Sequence, residues 1–342
     1  MAGKFREHAN DPAPMPLVET SNLRKVFRSV KREPGIGNAV RALVAPQYEE
    51  AVAVDDVSFA LDAGELVGYI GPNGAGKSTT IKMLTGILVP TSGLVRVAGI
   101  EPHKHRQRNA QNIGVVFGQR SQLYWDLPLR ESFELLRSIY DIPRDRYAKN
   151  LGTFSELLAL DEFMDTPVRQ LSLGERMRGD FAAALLHEPA VVYLDEPTIG
   201  LDVVAKEAIR TFVAAMTRER GTTVILTTHD LADVERLCSR VVLIDDGRVI
   251  YDGPLEALRE KYGTHRTLIV HLAESCDDLA VEDAEIVKRE PMTVEYRFDR
   301  RRVSAEALVR RVTEKCSLAD IAITEPDIDG IVRRIYTDGY AT

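Results

Sequence analysis

The chain has too few cysteines, too widely scattered, to build a framework from: Cys238, Cys276 and Cys316 form no CxxC pair and leave an odd count. That pattern offers neither a disulfide scaffold nor a metal-ligand set, and it fits a reducing compartment. Also missing is an uninterrupted apolar run long enough to cross a bilayer, and the opening MAGKFREHANDPAPMP lacks the apolar stretch of a secretion signal. Any membrane role therefore comes through another chain. An excess of basic charge is absent too: the formal net charge is -8, which argues against nucleic acid as a partner held on a broad basic face. No internal repeat or low-complexity tract is visible.

The composition is that of an ordinary folded protein, 44% hydrophobic and 28% charged. The length, 342 residues, exceeds the roughly 250–300 residues at which single cores stop growing, so one large domain with a smaller appendix is expected. Residues 1–16 read as a flexible tail. From Pro16, PLVETSNLRKVF alternates as an edge-like strand, and AVDDVSFALDAGELVGYIGPNGAGKSTTIKML reads as strand, turn, strand, glycine loop and helix. Between them, at about 28–50, lies an insertion broken by Pro34-Gly35 and Gly37, read as a hairpin or small helix, with a solvated surface loop as the plain alternative. ESFELLRSIYDI and RYAKNLGTFSELLAL carry apolar residues three and four apart and mark a helical subdomain at about 120–180. The runs AVVYLDEP, TTVILTTH and RVVLIDDGRVIYDG then alternate with helices, as in a largely parallel sheet covered on both faces. After Leu258 the pattern changes to short strands with two helices, a small α+β unit over 263–342 whose boundary falls near Tyr262-Gly263-Thr264.

Two constellations carry chemistry. The first is Gly71-Pro72-Asn73-Gly74-Ala75-Gly76-Lys77-Ser78, followed by Thr79, which satisfies G-x-x-x-x-G-K-S between an apolar strand and a helix. Glycines let the backbone wrap an anion so that successive N–H groups and a helix N-terminus point at phosphate oxygens. In such a cradle Lys77 reaches the β- and γ-phosphates and the Ser78 hydroxyl coordinates Mg²⁺. The second is AVVYLDEPT, a buried strand ending in Asp195 and Glu196. Adjacent carboxylates there are costly unless a cation or hydrogen bonds offset them, which suits Asp195 to Mg²⁺ and Glu196 to orienting an attacking water.

With Gln119 in VVFGQRSQL, LSLGE at Leu171 to Glu175, IGLD ending at Asp202, and His229 in LTTHD, the chain resembles the nucleotide-binding subunit of an ATP-binding cassette (ABC) transporter from about Leu17 to Gly253. Within that family it is most similar to bacterial exporter-type ATPases that work with separately encoded permeases. The resemblance implies an α/β P-loop NTPase of ABC type, with a RecA-like core, an antiparallel β subdomain and a helical subdomain, over 17–262. It also implies ATP and Mg²⁺ as ligands, a second copy of the chain as partner, and one or two integral-membrane permease subunits at the cytoplasmic face of the membrane. By the same resemblance Gln119 contacts Mg²⁺ or the water, His229 contacts the γ-phosphate and Asp202 arranges the contact across the dimer. Ser172, Gly174 and Glu175 occupy the signature that closes over ATP held by the opposite copy. The sequence departs from LSGGQ at Leu173 and Glu175, and the Glu175 carboxylate is unfavourable near phosphates unless Arg176 or Arg178 neutralises it. Phe27 is the candidate for stacking on adenine, with Tyr48 as runner-up; either ring could instead be core packing.

Tyr124 and Trp125, the latter the only tryptophan, sit in the region where such ATPases receive a permease, although burial in the helical subdomain would explain them equally. The other six histidines, His103 and His105 among them, occupy no motif. A soluble remodelling ATPase is disfavoured by the single glycine loop and the absence of coiled coil, and a GTPase by the absence of an NKxD-type motif. The C-terminal unit carries no nucleophile, metal cluster or phosphate loop; it reads as regulatory, dimer-stabilising or passive. The transported substrate leaves no trace in this chain.

Overall fold

The computed structural model describes residues 15–30, 48–118, 120–263, 265–325 and 328–338. Most of the expected tail and of the insertion falls outside them. The described flanks of the insertion are strand: β1 (Val18–Val30) runs antiparallel to β2 (Tyr48–Leu61), with Arg28 opposite Glu50 and Val30 opposite Tyr48. The insertion is therefore narrower than 28–50, because its ends extend a hairpin. Beyond β3 (Leu66–Ile70) and α1 (Lys77–Leu84), β4 (Ser92–Val97) returns to the other side of β1, giving the order β2-β1-β4. This corrects the expectation of an edge strand. β1 is central over its first half, where Val18 pairs with both Leu61 and Val97, and only its distal half lacks the second neighbour.

The chain continues through α2 (Arg106–Asn112) and β5 (Ile113–Phe117) into the helices α3 (Leu129–Ile139), α4 (Arg144–Leu158) and α5 (Leu173–Leu185). β6 (Val191–Asp195), α6 (Val203–Arg220), β7 (Thr223–Thr227), α7 (Leu231–Leu237), β8 (Arg240–Asp245), β9 (Arg248–Pro254) and α8 (Leu255–Tyr262) come next. The second sheet has the order β5-β6-β7-β3-β8-β9. β5, β6, β7 and β3 pair in parallel, and their apolar, almost wholly buried runs are what a sheet covered on both faces requires. Phe154 and Phe181 meet Phe212 of α6 edge-on, with ring centroids 5.3 and 6.2 Å apart, which seats α4 and α5 on the core.

The C-terminal strands β10 (His265–Leu272), β11 (Ala284–Glu290), β12 (Thr293–Asp299) and β13 (Leu318–Thr324) form an antiparallel sheet in the order β11-β12-β10-β13. α9 (Ala305–Thr313) packs Leu308 and Val312 against Leu268, Val270, Tyr296 and Phe298, and α10 (Ile328–Asp338) ends the described chain. The chain divides into two compact units, 1–229 with 243–249, and 230–242 with 250–342. The division falls earlier than Tyr262-Gly263-Thr264 because α7 is tied to C-terminal elements. Its Glu235 accepts from Arg259 of α8 at 2.9 Å and from the backbone N–H of Ile328, where α10 begins, at 3.1 Å. A second expectation fails in this unit: Cys276 and Cys316 are joined in a disulfide with Cα atoms 5.9 Å apart, leaving Cys238 free and buried. Their 40-residue separation gave no local signal; the fold itself brings the loop after β10 to the end of α9.

One buried group makes the fold sensitive to acid. His187, stacked on Tyr140 with ring centroids 4.0 Å apart, has Nε2 3.0 Å from the Ile113 carbonyl, and burial lowers its pKa to about 4. The unfolded chain therefore binds this proton first, so stability is full above about pH 6.5 and is lost as the pH falls towards 4. Replacing His187 by Gln, which can still donate to Ile113, should recover about 2 kcal/mol of the loss between pH 7 and pH 5 in urea unfolding.

Candidate active site

The wholly buried β3 delivers the chain to Gly71, and sterics exclude side chains at two points of the loop that begins there. A Cβ on Gly71 would lie 2.5 Å from the Ile244 carbonyl oxygen, and one on Gly76, whose φ is +100°, 2.5 Å from that of Ala53. The loop then enters α1, whose first N–H groups lack intrahelical partners and form the positive end of its dipole. Lys77 is only 8% exposed, and its ammonium donates to the carbonyls of Gly71 and Pro72. Burial lowers its pKa, while the carboxylates of Glu196 and Asp195 act in the opposite direction.

Parallel register brings Asp195, at the end of β6, beside Thr227 of β7 and Phe117 of β5. Asp195 Oδ1 accepts from the Ser78 hydroxyl at 3.3 Å and from the Thr227 hydroxyl. Glu196 sits at φ +54°, a left-handed conformation costly for a side chain of its kind, and its N–H donates to the Thr227 carbonyl at 2.9 Å. Its Oε2 lies 2.6 Å from Nδ1 of His229 and accepts the His229 backbone N–H at 3.3 Å. A cavity of about 360 Å³ opens here, lined by Ser78, Lys82, Phe117, Arg120, Asp195 and Glu196. Lys77, Ser78, Asp195, Glu196 and His229 are thus brought together; Gln119 lies outside the described residues.

A hydroxyl and a carboxylate oxygen converging in this way suit Mg²⁺, which takes one or two protein oxygens and completes its shell with substrate phosphates and water. Sequence reasoning missed three contributors. Thr227 fixes Asp195, and only the strand order reveals it. Gly118 has to be glycine because a Cβ would collide with the Glu196 carbonyl oxygen, while Arg120 lines the cavity one residue beyond Gln119.

The signature residues stand in a different cluster. Ser172 caps α5, accepting the Glu175 N–H at 3.3 Å, while Glu175 Oε2 accepts the Ser172 N–H at 2.8 Å. These bonds, with Arg178 behind them, hold the Glu175 carboxyl below its ordinary pKa. Of the two arginines proposed to neutralise Glu175, Arg178 acts on it, whereas Arg176 lies over the Trp125 ring, 5.4 Å from its centroid. Leu173, the other departure from the family pattern, packs against Gly200, and Gly174 adjoins Ala205 and Asp202. Asp202 caps α6 by accepting the Ala205 N–H at 2.8 Å.

Phe27 is 41% exposed, with the Lys25 ammonium 5.2 Å from its ring centroid, so it is not core packing. It pairs with Ala51, two residues from the Ala53 that abuts Gly76, whereas Tyr48 lies five residues away and is also exposed. Tyr124 and Trp125 are exposed as well, Trp125 by 52%. Among the described residues, no helix is long and apolar enough to cross a membrane.

A glycine loop entering a helix, with an acidic pair at a neighbouring strand end and a histidine on the next, defines an α/β nucleoside-triphosphatase of the P-loop type. A family model described as ABC transporter matches residues 54–199. The ABC transporter ATP-binding protein NatA of Bacillus subtilis (strain 168) is 35% identical over 208 residues, covering 61% of this chain and 84% of that one. The Nod factor export ATP-binding protein I of Ralstonia nicotianae is 35% identical over 263 residues, covering 70% and 79%. Among solved structures, an ATP-binding subunit of an ABC transporter superposes with a TM-score of 0.60 at 27% identity, over 72% of this chain and 93% of that one. A dimeric, post-hydrolysis ATP-binding cassette bound to ADP and Pi gives 0.57 at 26%, over 70% and 98%. The chain belongs to the ABC transporter family as an ATP-binding subunit, and it is an ATPase.

The Gly118 contact can be tested directly. Gly118→Ala should push Glu196 from its position, lowering ATP turnover by about tenfold or more, while ATP binding, followed by titration calorimetry, persists.

Proposed function

We propose that this ATPase energises export of a substrate through one or two separate integral-membrane permease subunits, by closing two copies of itself around ATP. The observation that carries the reading is the separation of two half-sites on one chain. Ser78, Asp195 and Glu196 line one cavity beside the loop that holds Lys77, and Ser172 and Gly174 stand with Asp202 in another cluster. A second copy supplies what each half lacks. Val203 and Val204, both 80% exposed beside Asp202, give that copy an apolar contact. Export, as opposed to import, is supported by the name of the Nod factor export relative. The cytoplasmic face of the membrane is the location such a partnership requires.

In the closed pair, the loop Gly71 to Gly76 with Ser78 and Thr79 cradles the phosphates, and Lys77 places its charge against the β- and γ-phosphate oxygens. Phe27 stacks on the adenine. Ser78 and Asp195, with Gln119, hold Mg²⁺, which when bound offsets the negative charge that develops on the transferring phosphate. Glu196 orients the attacking water and accepts its proton. His229, held by Glu196, reaches the γ-phosphate, while Ser172, Gly174 and Asp202 close over the triphosphate held by the other copy. Trp125 and Tyr124 form the exposed aromatic contact for the permease. The C-terminal unit over 263–342 serves regulation or dimer stability.

Glu196→Gln should bind Mg-ATP, lose about 100-fold or more in turnover, and run as a dimer in light scattering; a protein that stays monomeric with Mg-ATP and its permease contradicts the sandwich. Trp125→Ala should uncouple transport from ATP hydrolysis, and unchanged substrate export in a stably folded variant rules out this permease contact.

A further inference from the structure

Asp180 is a carboxylate that the mechanism does not use, buried to 3% exposure in α5, the helix opened by Ser172. Its Oδ1 accepts from the Ser121 hydroxyl at 3.0 Å and from the Gln122 backbone N–H at 2.9 Å. The Gln122 side-chain amide donates in return to the Asp180 carbonyl at 3.1 Å, and Ser121 Oγ also accepts the Leu123 N–H at 3.1 Å. The preceding residue completes the seat. A Cβ on Gly179 would come within 3.0 Å of Leu123 Cδ1 and 2.9 Å of Leu129 Cδ1, so the bare glycine lets both leucine side chains lie close against the helix. Gly179 and Asp180 together grip the turn 121–123 from one side of α5.

Both ends of that turn reach functional ground. Arg120 lines the cavity that holds Ser78, Asp195 and Glu196. Trp125, on the other side, lies under the Arg176 guanidinium, and Arg120, Trp125, Leu173, Arg176 and Asp180 all line a second cavity of about 180 Å³. Burial raises the Asp180 pKa to about 6, opposed by its hydrogen bonds and by the charge of Arg176, one turn earlier on the same helix. A buried carboxylate is a poor source of stability, because desolvation consumes what its bonds return. What it provides is direction: several donors converging on one acceptor fix a turn in a single geometry.

We propose that Asp180 is a positioning residue of the ATPase cycle, tying segment 120–125 to the helix that begins at Ser172 so that the cavity edge and the Trp125 surface move with that helix as one body. The inference rests on the nucleotide reading of the proposed function. It explains how a helix whose first turn closes over ATP transmits its displacement to the aromatic surface, through three hydrogen bonds and a glycine seat rather than through flexible loop.

Trp125 is the only tryptophan, so its fluorescence reports this segment in the full-length protein without labelling. The wild type should change its emission on adding Mg-ATP. In Asp180→Ala that response should disappear and kcat should fall about tenfold, with KM for Mg-ATP within about twofold, because the phosphate loop is untouched. Asp180→Asn, which keeps an oxygen acceptor for Ser121 and Gln122, should fall between the two, and Ser121→Ala, which removes a single donor, should give a smaller loss of the same kind if Asp180→Ala folds poorly. Wild-type kcat and a wild-type emission response in folded Asp180→Ala overturn the proposal, as does a tryptophan silent to Mg-ATP in a wild type that hydrolyses it. Lys77→Ala separates the two readings: full ATP binding and hydrolysis in that variant contradicts the nucleotide site itself, whatever Asp180 does.

Discussion

Everything near the cavity depends on how a carboxylate is held at the end of a buried parallel strand. Asp195 emerges from four apolar residues into a place where water cannot solvate it fully, and two hydroxyls, Ser78 from the helix side and Thr227 from the next strand, donate to it instead. Those bonds also set distances. They fix the glycine loop against β6, and β6 against β7, so that Glu196 and His229 meet across adjacent strand ends. Parallel order matters because it points every strand end in the same direction, and the loops gather there.

Much of this was legible in the sequence, for reasons that vary with distance along the chain. The glycine loop, the acidic pair and the strand–helix alternation are local patterns, and each fell where its pattern indicated. Contacts made at long range leave no such pattern. Cys276 and Cys316 met through the closure of a small domain, β1 gained a second neighbour from the distant β4, and Thr227 mattered only once β7 lay beside β6. Asp180 carries no signal in the sequence, because nothing in its neighbourhood announces the turn at 121–123. Glu175 is a different case. Ser172 and Glu175 have capping-box spacing, a readable local signal, yet the carboxylate stands out first as a charge near phosphate.

The two units differ in how they reach stability. The first buries long apolar strands under helices on both sides. The second packs α9 over a four-stranded sheet, and it adds a cross-link and the buried Tyr296, whose hydroxyl donates to the Leu279 carbonyl at 2.7 Å. A small core gains most from such ties, since it buries a smaller share of its surface.

The cap on α5 has a directional consequence. A serine hydroxyl offers one hydrogen and two lone pairs, and in Ser172 a lone pair is committed inward to the Glu175 N–H. The hydrogen is not used by that bond, and Ser172 is exposed at the positive end of the helix dipole. The reciprocal bond ties the Glu175 carboxylate back to the Ser172 N–H within the first turn. A motif that reads as weakened by an added carboxylate thereby keeps a hydroxyl donor at an exposed helix terminus, where an oxyanion is favoured.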